Sequence, residues 1–263
     1  MSSFRNYEEV NENIKQNYKL ARINQNYNYV VRMKNEFKLR KKVNMSLFEV
    51  IDKLSNFIDI SDPDITIPNA HHLFQTAEKA RQDNMPEWFQ LTCLLHDVGK
   101  IMYIWGNDKD GTSINKQWGI VGDTFIVGCQ IPNSIVFPEF NSLNEEHNKY
   151  NNLGLYYKNC GLINCHVSWG HDEFMYLVLC NNENSLPLES YYIIRYHSLY
   201  LWHKENEYTF FENDNDKKYK PWVQKFNQYD LYTKENKTIN IEELKKYYKT
   251  LMIKFFTSEY MNW

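Results

Sequence analysis

The 263-residue sequence lacks several features that mark common classes of protein. Its five cysteines are odd in number and include no CxxC pair, which argues against a disulfide framework and against a thiolate zinc site. No apolar run approaches the length that spans a bilayer, and residues 1–10 are too polar for a secretory signal. The net charge of only −3 does not favour nucleic-acid or membrane binding. We therefore expect a cytoplasmic protein with reduced thiols and neither kind of partner.

The sequence does contain enough apolar material for a large core, with 43% hydrophobic and 16% aromatic residues. Apolar residues recur at helical spacing, and we find no strand pattern of any length. The pattern predicts an all-α fold with one helical domain over residues 44–263. Residues 1–43 are polar and asparagine-rich, and we expect them to form an arm that packs on this domain. Composition alone would favour a frayed surface arm.

Several helix boundaries can be predicted from local signals. Ser46 and Glu49 match a capping box that opens a helix. Pro86 suits the first turn of a later helix, which the spacing of apolar residues extends past His96 to Met102. Further helices are expected from Asn69, after His171, after Pro187, from Trp222 to about Asp230, and over 240–256, whereas 106–116 and 130–165 are expected to be loops and irregular turns.

The stretch from His96 to Lys100 is the strongest candidate for chemistry. His96 and Asp97 stand side by side inside an apolar helical run, and a buried carboxylate beside an imidazole is costly without a compensating partner. A metal ion is the usual compensation, and the two oxygens of Asp97 allow it to bridge two metals. The alternative is a solvated pair at a helix end.

Other histidines and aspartates on apolar helical segments strengthen the metal interpretation. A single buried histidine is more often part of the core than a ligand, but six such groups on five segments are seldom buried without a cation. Imidazole and carboxylate without thiolate suit iron or manganese, and less specifically zinc. The six candidate ligands are His72, His96, Asp97, His171, His197 and Asp230.

These residues resemble the myo-inositol oxygenase family, a dinuclear branch of the HD-domain fold. His72, His96-Asp97 and Asp230 follow the HD-domain order, with His171 and His197 inserted. The matching segments cover nearly the whole chain in order: Phe4–Tyr7, Ser61–Asp64, Phe74–Glu78, Leu94–Lys100, Val121–Phe125, Ser168–Glu173, Arg195–Ser198, Asp230–Lys234 and Trp263.

The resemblance implies an oxidoreductase that incorporates oxygen into a single donor. Its cofactor would be a mixed-valent pair of iron ions between the helices, and it would use dioxygen to cleave the ring of myo-inositol to D-glucuronate, a step of inositol catabolism. It also implies that one iron is held by His72, His96 and Asp230, the other by His171 and His197, with Asp97 bridging. We expect the protein to act as a monomer.

By the same resemblance, Asp97, Lys100 and Lys234 would be the catalytic residues. The positions that match the polyol-binding residues of the family are Arg5, Asp59, Ile60, Ser61, Lys100, Gly122, Asp123, His197, Ser198 and Lys234. Two features depart from the family pattern: residues 106–116 are longer than expected, and Ile60 stands where the family tends to have a polar residue.

Two other functions remain possible from the residues. A metal-dependent phosphohydrolase or phosphodiesterase of the HD group would need arginines near the motifs, but Arg81 and Arg195 are the only arginines after residue 40. An inactive polyol-binding homologue is the second alternative, and the six intact metal positions argue against it.

Overall fold

The computed structural model describes residues 7, 10–63, 68–232 and 240–263. Within these residues the regular elements are almost all helices, which confirms the predicted all-α class. None of the described helices has the length and apolar content needed to cross a membrane. The α-helices are α1 (Glu12–Asn24), α2 (Tyr27–Leu39), α3 (Leu47–Leu54), α4 (Asn69–Gln82), α5 (Glu87–Leu95), α6 (His171–Cys180), α7 (Leu188–Tyr196), α8 (Tyr200–His203), α9 (Asp214–Tyr232) and α10 (Ile241–Phe255).

The amino-terminal part of the chain forms α1 and α2, so the frayed arm favoured by composition alone is wrong. Asparagine side chains begin both helices: Asn11 Oδ1 accepts from the Ile14 N–H at 3.0 Å, and Asn26 Oδ1 accepts from the Tyr29 N–H at 2.8 Å. These asparagines satisfy amide groups that a helix start would otherwise leave unpaired. The apolar face of α2 enters the core through Tyr29, Val30, Met33 and Phe37.

The predicted capping box opens α3. The Ser46 N–H donates to Glu49 Oε2 at 2.7 Å, and the Glu49 N–H donates to Ser46 Oγ at 3.3 Å. Just before this helix, β1 (Asn44–Ser46) pairs antiparallel with β2 (Tyr260–Asn262), which the sequence analysis did not predict. Strands of three residues are too short to produce a readable alternation of apolar and polar side chains.

The chain around Asp97 differs from the continuous helix predicted through Met102. Helix α5 ends at Leu95, and a 3-10 helix runs from Val98 to Trp105. The Lys100 N–H donates to the Asp97 carbonyl at 3.0 Å, three residues back. Side chains three residues apart eclipse in a 3-10 helix. The tighter winding therefore places the ammonium of Lys100 beside the carboxylate of Asp97.

Gly99 lets this turn approach α6 closely. A Cβ atom at position 99 would lie 2.1 Å from the backbone oxygen of His171. No side chain can occupy that space, because real Cβ contacts are essentially never shorter than 3.0 Å. The turn that carries His96 and Asp97 is thus packed directly against the helix that begins with His171.

The remaining elements complete the frame around this turn. Helix α9 begins at Asp214, earlier than the predicted start at Trp222, and continues through Pro221. The stretches 106–116 and 130–165 are irregular, as predicted, and the short helical turns expected in the second are 3-10 helices at Pro138–Leu143 and Leu162–Asn164.

Candidate metal centre

The six predicted metal ligands meet at one place in the helical core. They arrive from the interior of α4, the end of α5, the start of α6, the end of α7 and the last turns of α9. Each of the six is at most 8% exposed: His72, His96, Asp97, His171, His197 and Asp230. Among the residues described, the structure also keeps His71 outside this group, which supports the choice of His72 over its neighbour.

One half of the centre, called the α4–α9 half, consists of His72, His96 and Asp230. His72 Nε2 lies 2.9 Å from Asp230 Oδ1, and His96 Nε2 lies 3.6 Å from the same oxygen. Asp97 faces this half through Oδ2, which is 3.4 Å from His96 Nε2. The three side chains place one ligand atom each within 4.8 Å of the others, close enough to share one metal ion.

The other half, called the α6–α7 half, consists of His171, His197 and Asp172. Asp172 Oδ1 lies 2.7 Å from His171 Nε2 and 3.2 Å from His197 Nε2. Asp97 faces this half through Oδ1, at 3.0 Å and 3.6 Å from the same two nitrogens. The two oxygens of Asp97 therefore face different halves, which is the arrangement of a carboxylate that bridges two cations.

Backbone carbonyls orient three of the four imidazole rings. The Nδ1 atoms of His96, His171 and His197 lie 2.7, 2.7 and 3.0 Å from the carbonyl oxygens of Cys93, Ile120 and Ile194. When Nδ1 donates to such a carbonyl, Nε2 presents its lone pair to the centre, as in metal-ligating histidines. His96 Nε2 is buried and has no hydrogen-bond partner among the described residues. A buried nitrogen left in this state beside two carboxylates fits a metal ion.

The charges in the centre also suit a cation. Burial alone would raise the pKa of Asp97, but His96 and Lys100 outweigh it and hold that pKa well below its usual range. Burial opposes the charged form of His171, yet the adjacent Asp172 and Asp97 raise its pKa to about 10. A metal that binds here would replace the imidazole proton as the positive partner of these carboxylates.

Lys100 lies at the edge of the α4–α9 half and is almost fully buried. Its Nζ donates to Asp97 Oδ2 at 2.7 Å and to Asn69 Oδ1 at 3.2 Å, and it lies 2.8 Å from Asp59 Oδ2. Burial lowers the pKa of Lys100, but the charges of Asp59 and Asp97 raise it overall above its ordinary value. The ammonium thus remains charged and joins the bridging carboxylate to the loop that follows α3.

A polar cavity opens above the metal centre. Of the predicted polyol-binding residues, the structure brings seven into its lining: Asp59, Ser61, Lys100, Gly122, Asp123, His197 and Ser198. Ile60 lies between two lining residues but does not line the cavity itself, and its N–H donates to Gln117 Oε1 at 3.2 Å. Arg5 and Lys234 lie outside the described residues. The gathered groups offer hydroxyl, carboxylate and ammonium contacts to a polyol.

Sequence reasoning missed several residues of this site. Asp172 follows His171 in the matching segment but received no role, although its carboxylate touches both histidines of the α6–α7 half. Tyr7 and Tyr18 also line the cavity, and Tyr18 Oη donates to Asp123 Oδ1 at 3.1 Å. Tyr18 lies on α1, so the amino-terminal helices contribute to the site. Asp172 and Tyr7 both stand in segments that match the family, and that position was the signal available for them.

Comparison with known proteins agrees with this geometry. The family model described as "Myo-inositol oxygenase" matches residues 11–263. The chain is 40% identical to "Inositol oxygenase" of Dictyostelium discoideum, over 100% of this chain and 90% of that protein. It is 41% identical to "Probable inositol oxygenase" of Oryza sativa subsp. japonica, over 98% and 84%, and 39% identical to "Inositol oxygenase" of Rattus norvegicus, over 96% and 88%. The chain therefore belongs to the myo-inositol oxygenase family.

Proposed function

We propose that this protein is an inositol oxygenase that cleaves the ring of myo-inositol with dioxygen to give D-glucuronate. In the balanced reaction, one oxygen atom enters the product and the other leaves as water. Family membership supports this activity and a metal cofactor. The observation that carries the proposal is the position of Asp97, whose two oxygens face two separate groups of histidines.

The proposal assigns two iron ions per chain to the two halves of the centre. His72, His96 and Asp230 would hold one ion, His171 and His197 the other, and Asp97 would bridge them. Nitrogen and oxygen ligands without thiolate are typical of non-haem iron that reacts with oxygen. When bound, the irons supply the redox capacity for dioxygen and lower the pKa of a coordinated hydroxyl.

The residues of the chain would bind and orient the polyol. A polyol has no apolar face, so many hydrogen bonds must fix its position for one carbon–carbon bond to react. Asp123, Ser198 and Ser61 line the cavity and can provide such bonds. Lys100 would stabilise negative charge that develops on a substrate oxygen, because its ammonium is held in a buried, low-dielectric place.

The phosphohydrolase alternative receives less support from the geometry. Arg195 is buried in an ion pair with Glu173 at 2.7 Å, and Arg81 pairs with Glu78 at the surface. Neither arginine lines the described cavity above the metal centre. Among the described residues, the lining of this cavity contains one lysine, Lys100, and no arginine.

The proposal is tested by metal analysis together with oxygen uptake. We expect two irons per chain and oxygen consumption with myo-inositol, measured against a panel of other inositols and a phosphate monoester. One zinc per chain, with no gain of activity on iron loading, would contradict the di-iron assignment. Turnover of the ester and none of the inositols would move the protein to the hydrolase class.

Three further predictions belong to this proposal. We propose that residues 1–43 act as an arm on the domain 44–263, and that the enzyme is a monomer in the cytoplasm. Size-exclusion chromatography with light scattering tests the oligomeric state.

A further inference from the structure

A second cavity is lined in part by the 3-10 helix that follows Asp97. It has a volume of about 190 Å³, larger than the volume of about 60 Å³ above the metal centre. Its walls are mainly apolar and aromatic, and they come from α2, the 3-10 helix after Asp97 and the start of α6: Met33, Phe37, Met102, Trp105, Trp169 and Phe174. This cavity shares no lining residue with the one above the metal centre.

Arg40 brings a positive charge into this apolar surrounding. Its guanidinium carbon lies 4.2 Å from the centre of the Trp105 ring and 5.2 Å from that of Phe174. The rings therefore cover the flat face of the guanidinium. Burial lowers the pKa of Arg40 to about 10, so the group stays charged near neutral pH.

The edge of this guanidinium has no hydrogen-bond partner. Arg40 Nε and Nη2 are buried, and neither finds an acceptor among the described residues. These two nitrogens form the edge to which a carboxylate binds with both oxygens. A buried donor without an acceptor typically costs about 1–3 kcal/mol of stability. The edge of a buried guanidinium is therefore expected to bind an acceptor.

A second residue of the lining, Trp169, also carries an unpaired donor. The Trp169 side chain is 3% exposed, and its indole Nε1 has no partner in the part of the chain that the structure describes. The backbone of Trp169 is fixed, because its N–H and C=O both bond to the side-chain amide of Gln25, at 2.6 and 2.7 Å. Glu36, the carboxylate residue of this lining, pairs with Arg32 at 2.8 Å. Two residues of the described lining, Arg40 and Trp169, thus carry buried donors that lack an acceptor.

From this combination we infer a binding site for a small organic monocarboxylate with a flat apolar body. The carboxylate would accept from Arg40 Nε and Nη2, and the apolar body would pack between the methionine and phenylalanine side chains. An inorganic phosphate would satisfy the arginine but would leave the apolar walls without a partner. This inference does not depend on the oxygenase activity.

The test is calorimetric titration of the iron-loaded protein with benzoate and with its neutral isostere benzamide. The charged arginine edge predicts that benzoate binds at least about tenfold more tightly than benzamide. Arg40→Met should remove this preference, and Lys41→Met, an exposed neighbour, should keep it. Trp169→Phe, which deletes only the indole donor and some ring area, should weaken benzoate binding several-fold.

Two outcomes would overturn the inference. One is the absence of benzoate binding in the wild-type protein. The other is an undiminished preference in Arg40→Met, because that result would place benzoate at the metal centre or elsewhere. If Arg40→Met does not fold, as judged by circular dichroism, Trp169→Phe and Arg40→Lys decide. Arg40→Lys keeps the positive charge but loses the pair of nitrogens that binds both carboxylate oxygens. Benzoate binding as tight as in the wild type would therefore also contradict the proposed site.

Discussion

The two halves of the metal centre contain the same kinds of side chain but are held in different ways. Behind the α6–α7 half, Glu173 and Arg195 form a buried ion pair at 2.7 Å that joins the two helices carrying His171 and His197. In the α4–α9 half, His96 Nε2 faces the carboxylates and has no hydrogen-bond partner within the described ranges, and no carbonyl orients the His72 ring through its Nδ1. The α6–α7 half is therefore braced by protein contacts, whereas the α4–α9 half leaves one inward-facing nitrogen for a metal to satisfy.

Asp97→Asn should disable both halves of the metal centre at once, because Asp97 faces both. The neutral amide has one weak oxygen ligand and cannot bridge two cations as a carboxylate does. We expect the loss of the two-metal site and a fall in activity beyond the 10–100-fold that typically follows loss of an outer-shell partner. Iron quantitation and oxygen uptake measure the effect, and far-ultraviolet circular dichroism should be unchanged. A variant with full iron content and turnover would show that Asp97 does not bridge.

Glu173→Gln should weaken the brace of the α6–α7 half. The substitution leaves Arg195 buried without its anion, and Lys34, which lies 2.6 Å from Glu173 Oε1, also loses its partner. Removal of one member of a buried ion pair typically costs about 3–5 kcal/mol of unfolding free energy. Urea denaturation of the metal-free protein measures this loss.

Arg81→Gln serves as the matched control for that brace. It removes a largely exposed pair with Glu78, for which a loss below about 1 kcal/mol is expected. Equal losses in Glu173→Gln and Arg81→Gln would mean that the buried pair does not stabilise the α6–α7 half.

Lys100→Ala should impair inositol oxidation at constant iron content. The ammonium contacts the Asp97 oxygen that faces the α4–α9 half, and it is not a ligand while protonated. Loss of a positioned charged donor typically lowers the rate on the order of 100-fold. We expect the same for Lys234→Ala, on the strength of the family resemblance. The measurement is kcat/KM for myo-inositol with iron content for each variant, and exposed Lys53→Ala is the control. Wild-type kinetics in both variants would show that neither lysine acts on the substrate.

Asp172→Asn should give the smallest effect and should be confined to one half. Its carboxylate contacts the Nε2 atoms of His171 and His197, the nitrogens that would hold an iron, so the amide would place a neutral oxygen beside that ion in place of a charged one. A loss of about 10–100-fold in the affinity of the iron in the α6–α7 half is expected, with the iron in the α4–α9 half retained. Titration with iron, followed spectroscopically, separates the two binding steps. Equal weakening of both steps would contradict the division into halves.

The residues that gather at the centre could be predicted from the sequence better than the contacts that support them. His72, His96 and Asp230 lie on apolar helical segments, and this placement is visible in the periodicity. The change from α-helix to 3-10 helix after Leu95 was not predictable, because Val98 and Met102 continue the same apolar spacing. Asp172 could not be assigned either, since its role depends on the orientation of α6 relative to α7. The amino-terminal helices were not predicted, because the many asparagines of this segment are typical of a disordered chain. Two of them, Asn11 and Asn26, are in fact the residues that cap the helices.

Gly99 sets how closely the two halves of the metal centre can approach each other. The backbone oxygen of His171 occupies the space that a Cβ atom at position 99 would need. The turn with His96 and Asp97 is therefore in direct contact with the first residue of α6, and no side chain fits between them. Any side chain at this position would push the start of α6 outward and move His171 away from Asp97. The hydrogen of one glycine thus keeps a histidine from one helix within reach of a carboxylate from another segment.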